Sequence, residues 1–440
     1  MPDRIVYALI FILFAVLTPV SQGWAAPNPP THANPTGDTI DPDPLWQTIR
    51  ARFDLFYAYR DLRGFDADAY LDRVGAYVTS APTQAVFRRR LNQASYAFTD
   101  PHLGFGPMDD SDFNVIPTAS DLEIGLTDDR FIVLDVRAGS AALKAGIRPG
   151  WVLTHIGDQP ISTAALSVFA PLIDDPSSDQ LAYGATLQAN GRRTGNRYLR
   201  FIDAIGETVT LTLANPREQA RAVMAKSPIQ TQRIMAGQGQ EIAILRINNR
   251  LGDNDLIKGF DAAVTNVMDA DGLILDLRNT PSGGNAEVGR SIMGHFTDEA
   301  RPYQMHERPS LEREFDVLRR YVEYVLPRAP LFDPDRTVVL GGYWTGSMGE
   351  GIVIGMDAIG VETIASDMGD LLGGMSYFTF ADGAISLSVP NETLFHVDGR
   401  PREDFIADTH LPSADSDAKG GDPALSAAIA ILLADKSQPR

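Results

Sequence analysis

Two apolar runs, GLILDL at 272–277 and TVVL at 337–340, each pass into a glycine-rich turn and then into a helix-compatible stretch: RNTPSGGN before AEVGRSIMGHF, and GGYWTGS before MGEGIVIGM. Runs that are apolar at nearly every position suit strands covered on both faces. Strands of that kind joined by helices give an α/β arrangement around an internal sheet. EIAILRINN, the helix-like LIKGFDAAVTNVMDA, VETIAS, AISLSVP and the terminal ALSAAIAILLAD continue the alternation, so the pattern predicts one α/β core over 228–440. No repeat of fixed short period is present.

Upstream the character of the chain changes. The first 26 residues have a basic start at Arg4, an apolar stretch from Ile5 to about Val20 and small residues before Ala26, the pattern of a cleaved secretory signal. An uncleaved anchor is the alternative, but the run is short against the roughly 20 residues that span a bilayer. Residues 27–44, rich in proline and polar side chains, predict a linker. From Trp46 the positions Trp46, Ile49, Phe53 and Phe56 recur at helical spacing, and 67–98 continues in that style. The expectation is a small helical domain over 45–110, ending at TDPHLGFGP, where proline and glycine stop the helix.

The sequence contains no cysteine, which removes disulfides, a thiol nucleophile, thiolate metal sites and a lipidated cysteine. Its formal net charge of −19 argues against nucleic acid or an anionic membrane as partner. These features predict a periplasmic or secreted protein with no stable membrane anchor after signal cleavage. The histidines are scattered and no His-Glu-x-x-His helix occurs, so no metal or other cofactor is implied.

Between the two regions, LEIGL, RFIVLDV and WVLTHI alternate as short strands, with AGSAALKAGIRPG between the second and third and ETVTLTLA after the polar QANGRRTGN. GSAALKAGIRPGWVLTHIGDQPI resembles the helix and following strand of a PDZ domain, which implies a PDZ-like domain over 115–222. PDZ domains add a peptide as an extra strand. The resemblance places that edge at Leu122, Ile124, Gly125 and Leu126. Glu123, where a second glycine is common, would repel a bound carboxylate, so C-terminal capture and a purely structural or regulatory domain stand as equal readings.

DGLILDLRNTPSGGN followed by TVVLGGYWTGSMGEG, together with the PDZ-like segment, resembles the tail-specific, or C-terminal-processing, serine peptidases, whose core is a crotonase-like ββα spiral. The resemblance implies Ser347 as nucleophile, at the end of a strand and the start of a helix. A developing oxyanion would be held there by the Met348 amide and by that of Gly283 or Gly284. Many members use a lysine downstream of the serine. None lies between Ser347 and Lys419, and Lys419 sits in a solvated-looking loop. The histidine-using branch is similar to the tricorn protease core and the retinoid-binding repeats. It implies His102 of TDPHLGF as base and Glu403 of DGRPREDFIADTHLP as its orienting carboxylate, acting directly, through water, or not at all. Pro101 stands where tricorn-like sites carry a relaying serine.

The expectation is therefore an exported serine endopeptidase acting on protein or peptide substrates through an acyl-enzyme. A peptide- or ligand-binding protein that keeps the fold and lacks efficient chemistry, or a small-molecule esterase or amidase, are the alternatives. Oligomeric state is not legible.

Overall fold

The computed structural model describes residues 41–61, 66–237 and 239–434. The expected signal and most of the expected linker lie outside the described residues. The helix Pro42–Phe56 begins inside the stretch read as linker, with proline in its first turn, where the missing N–H has no partner to lose. The helices Ala67–Thr79 and Gln84–Ser95 follow, each started by a side-chain cap: Asp66 accepts from the Ala69 amide and Thr83 from that of Val86.

These helices do not close a core of their own. Ile49, Phe53, Val74, Phe87 and Leu91 share one buried cluster with Leu372, Ile385, Leu387 and Val389 from the far end of the chain. Gly104–Gly106 also pairs antiparallel with the strand Ile385–Phe395. The helical segment expected as a separate domain over 45–110 is thus the cover of a C-terminal sheet. An amphipathic stripe needs an apolar partner surface, and here the partner is remote in sequence.

The central sheet has six strands in the order Thr409–His410, Glu362–Ala365, Thr337–Leu340, Gly272–Asp276, Gln240–Ile247 and Ile229–Ala236, parallel except for the last. Gly272–Asp276 and Thr337–Leu340 are buried at every position, as their continuous apolar runs require. Leu273, Leu275 and Val339 meet Leu256, Phe260, Val288 and Ile352 on one face. Ile274, Val338 and Leu340 meet Ala424 and Ala428 on the other.

The segment expected to be PDZ-like forms an antiparallel sheet ordered Leu122–Thr127, Arg130–Val136, Val152–Ile156, Arg197–Ile202 and Thr208–Leu213. The helix Ser178–Asn190 lies along its edge strand, opened by a capping box between Ser177 and Gln180. Part of QANGRRTGN, read as a polar insertion, is the end of this helix. Three backbone amides, of Ala414, Asp415 and Ser416, donate to the Asp135 carboxylate at 2.9, 3.0 and 3.1 Å, which ties the sheet to the core.

The helix also corrects the expected peptide-binding edge. Thr186 Oγ1 accepts from the Ile124 amide and donates to the Ile124 carbonyl, both at 3.1 Å. Asn190 Oδ1 accepts from the Leu122 amide at 3.3 Å while its Nδ2 donates to the Leu122 carbonyl at 2.8 Å. An added strand would have to displace all four bonds, so Leu122 and Ile124 do not offer an open edge; Gly125 and Leu126 lie beyond the stitched stretch.

Candidate active site

The two glycine-bearing turns are laid side by side by an extension of the parallel ladder. Leu277 donates to the Leu340 carbonyl at 3.0 Å, Thr280 to Trp344 at 3.1 Å and Gly346 to Thr280 at 3.2 Å. Buried hydroxyls stiffen the pair, since Thr280 Oγ1 and Thr345 Oγ1 both donate to the Leu277 carbonyl, at 2.7 and 3.2 Å. Trp344 Nε1 fixes the second turn by donating to the Ser120 carbonyl at 3.1 Å.

Ser347 emerges from that turn with φ 54° and ψ −113°, a conformation that a non-glycine residue adopts only under external constraint. It caps the helix Met348–Ala358, so the Met348 amide is among the first donors of the helix and has no intrahelical acceptor. Gly283, at φ 62°, touches the serine. A Cβ there would lie 2.3 Å from Ser347 Cβ, 2.8 Å from Oγ and 2.8 Å from the Met348 nitrogen. Gly284 packs instead on Leu251, whose carbonyl carbon would be 2.0 Å from an added Cβ. The Gly283 amide donates to the Thr280 carbonyl at 3.1 Å. Among the described residues the Gly284 amide has no acceptor.

Glycine at 283 is required twice over, by its left-handed φ and by the close approach. Gly283→Ala is expected to destabilise the fold by roughly 1–3 kcal/mol, the range of such backbone strain, and to lower turnover further by pushing Ser347 aside. Chemical denaturation alongside a rate measurement checks this; an alanine variant with wild-type stability and rate would contradict the geometry.

His102 is held by the turn that ends the N-terminal helices. Its amide donates to Asp100 Oδ1 at 2.9 Å, and Tyr57 donates to Asp100 Oδ2 at 3.0 Å. The imidazole Nδ1 lies 2.6 Å from the Leu372 carbonyl. A carbonyl only accepts, so Nδ1 carries the proton and Nε2 is left with a lone pair, the form a general base needs. Burial, supported by the nearby Arg402 charge, pushes the imidazole pKa down to about 4 even though the Leu372 carbonyl works the other way. It is therefore neutral at physiological pH. Among the described residues neither Nε2 of His102 nor Oγ of Ser347 makes a hydrogen bond.

Glu403 sits on the short turn Arg402–Asp404 and makes no hydrogen bond to His102; burial raises its carboxyl pKa. Its carboxylate does not orient the imidazole in this structure, because the Leu372 carbonyl has taken that place. With Pro101, Glu123, Tyr343, Asp370 and Arg402 it lines a cavity of about 520 Å³ between the edge strand Leu122–Thr127, the helix Ser178–Asn190 and the core.

Three features escaped the sequence reading. Glu350, three residues after the serine, is buried and paired with Arg402 at 3.1 Å. Arg402 Nη1 reaches the Ser347 carbonyl at 3.4 Å and Nη2 bonds the Leu371 carbonyl. The 371–372 backbone is the third, since Leu371 donates to Glu350 Oε1 at 3.0 Å while Leu372 holds His102. Serine and histidine are thereby tied to the same two residues. The available signal was a glutamate in the first turn of a helix that carries no other charge before Asp357.

The fold is shared with proteases of known structure. Mature CPAF complexed with lactacystin superposes with TM-score 0.58 at 12% identity, covering 86% of this chain and 94% of that one. The photosystem II D1 C-terminal processing protease gives 0.53 at 15% identity, with 90% and 98% covered, and a protein from Parabacteroides merdae described as a peptidase gives 0.52 at 15%, with 91% and 100% covered. At such identities the likeness is one of fold, a mixed α/β architecture. No protein-family model and no curated relative matches the sequence.

Proposed function

We propose that this chain is an exported serine endopeptidase. The observation that carries the reading is Ser347, held at a left-handed φ on a helix N-terminus with Gly283 pressed against it, in a fold shared with proteases. In the proposed reaction Ser347 Oγ loses its proton to His102 Nε2 and attacks a peptide carbonyl. The oxyanion is held by the amides of Met348 and Gly284, chosen over Gly283 because the Gly283 N–H is already bonded to Thr280. The imidazolium returns its proton to the departing amine, and water then hydrolyses the serine ester by the same base. Leu372 sets the tautomer, while Glu403 lines the adjoining cavity without touching the imidazole.

The absence of a hydrogen bond between Ser347 and His102 supports a second reading, a peptide-binding protein on the same fold. Incubation with an unstructured protein, followed by mass spectrometry of the products, separates the two. New peptide termini, absent with Ser347→Ala, are expected; intact substrate bound to a folded protein would overturn the peptidase reading.

A further inference from the structure

The most unusual buried group outside the reacting pair is Glu350. A charged carboxylate in the interior is costly unless it is paired and hydrogen-bonded. Here Oε2 faces Arg402 at 3.1 Å, Oε1 accepts from Leu371 at 3.0 Å, and both side chains are 4% exposed. The partners are not arbitrary. Arg402 also donates to the carbonyls of Ser347 and Leu371, so Leu371 is gripped at its N–H by one member of the pair and at its C=O by the other. The next carbonyl, of Leu372, receives His102 Nδ1 at 2.6 Å.

We infer that Glu350 and Arg402 form a positioning clamp that locks the Leu371–Leu372 backbone to Ser347, and so sets the orientation of the His102 ring relative to the serine. This rests on the proposal that Ser347 and His102 act together. Neither clamp residue touches the reacting atoms; both act through backbone. The planar, forked guanidinium reaches the Ser347 carbonyl from Nη1 and the Leu371 carbonyl and Glu350 from Nη2, a spread that the single nitrogen of an ammonium lacks.

The clamp is also sensitive to pH. Burial, with the Asp370 charge adding to it, raises the Glu350 carboxyl pKa to about 7, against the opposing pull of Arg402 and of the Leu371 and Ser347 amides. The charged groups facing it are thus Arg402 and Asp370, with Glu403 next to Arg402 in the chain. Above about pH 7 the carboxylate is charged and grips both partners. Below that it takes up a proton, and the pairing with Arg402 loses its charge while His102, with a pKa of about 4, is still neutral. Ordering of the site therefore improves as pH rises through neutrality.

The test reads the imidazole directly, so it does not depend on turnover. In the full chain labelled with ¹⁵N-histidine, His102 resonances, assigned by comparison with His102→Gln, are followed from pH 5 to 9. The wild type is expected to show the Nδ1–H tautomer with an inflection near pH 7. In Glu350→Gln the inflection should vanish and the tautomer population shift toward a mixture. Arg402→Lys, which keeps the charge and loses the fork, should give the same mixture and serves if the glutamine variant does not fold. His102 signals indistinguishable from wild type in a folded variant would overturn the clamp. Hydrolysis measured in parallel should fall by about a hundredfold in both variants, the scale of a small misplacement of reacting groups. A wild type with no hydrolysis but with the NMR changes would sink the peptidase reading and leave the clamp standing.

Discussion

Ser347→Ala is expected to reduce peptide hydrolysis by roughly five orders of magnitude or more, because removing the nucleophile of an acyl-transfer site eliminates the covalent route and not a single stabilising contact. The folded state should change little. The Ser347 hydroxyl makes no hydrogen bond among the described residues, so its loss leaves no buried group unsatisfied. Alanine also tolerates φ 54° no worse than serine does, since both carry a Cβ. Thermal unfolding of the variant should match wild type within a degree or two while the rate disappears into background. A variant that keeps its rate would remove Ser347 from the chemistry, and one that loses both rate and fold would make its role structural.

His102→Ala should cost about 10⁴-fold, the scale of losing the base that activates a serine. The pH profile is the sharper reading. Histidine acts as base only when neutral, and here burial depresses its pKa to about 4, so the neutral form persists below the range where an ordinary histidine protonates. As pH falls, activity should drop part of the way near pH 7, where Glu350 takes up its proton, and vanish only near pH 4, where His102 does. Glu350→Gln, frozen in the uncharged form, should lose the step near 7 and keep the one near 4. A single limb centred at 6 to 7 that survives in Glu350→Gln would contradict the burial of His102.

Much of the fold was readable because strand and helix periods differ so clearly. GLILDL and TVVL are buried on both faces, and the elements around Ser347 fall where the apolar run ends and the helix-compatible run starts. The expected helical domain was misread because periodicity reports that a helix has an apolar face and not which surface covers it; the cover is a sheet nearly 300 residues away in sequence. The expected peptide edge was misread for a related reason. Thr186 and Asn190, four apart on one helix, bond the backbone of Leu122 and Ile124, and nothing in their own neighbourhood announces that target.

The site divides in the same way. The serine, the glycine turn and the histidine turn each have local signatures: glycines at close approaches, and Asp-Pro-His at the end of a helical run. Glu403 also stands in a motif, yet its carboxylate makes no bond to the imidazole, and the group that does is a main-chain carbonyl, which carries no sequence signature at all. Glu350 stands in an apolar stretch with no motif to mark it. Its pairing with Arg402, over a separation of 52 positions, is a matter of three-dimensional closure.

The most direct test of the central claim is covalent labelling of the protein with a fluorophosphonate, with the modified residue located by tandem mass spectrometry. The account predicts one adduct, on Ser347, lost in Ser347→Ala and strongly reduced in His102→Ala. A folded wild type that takes no label, or takes it on another serine, would contradict it.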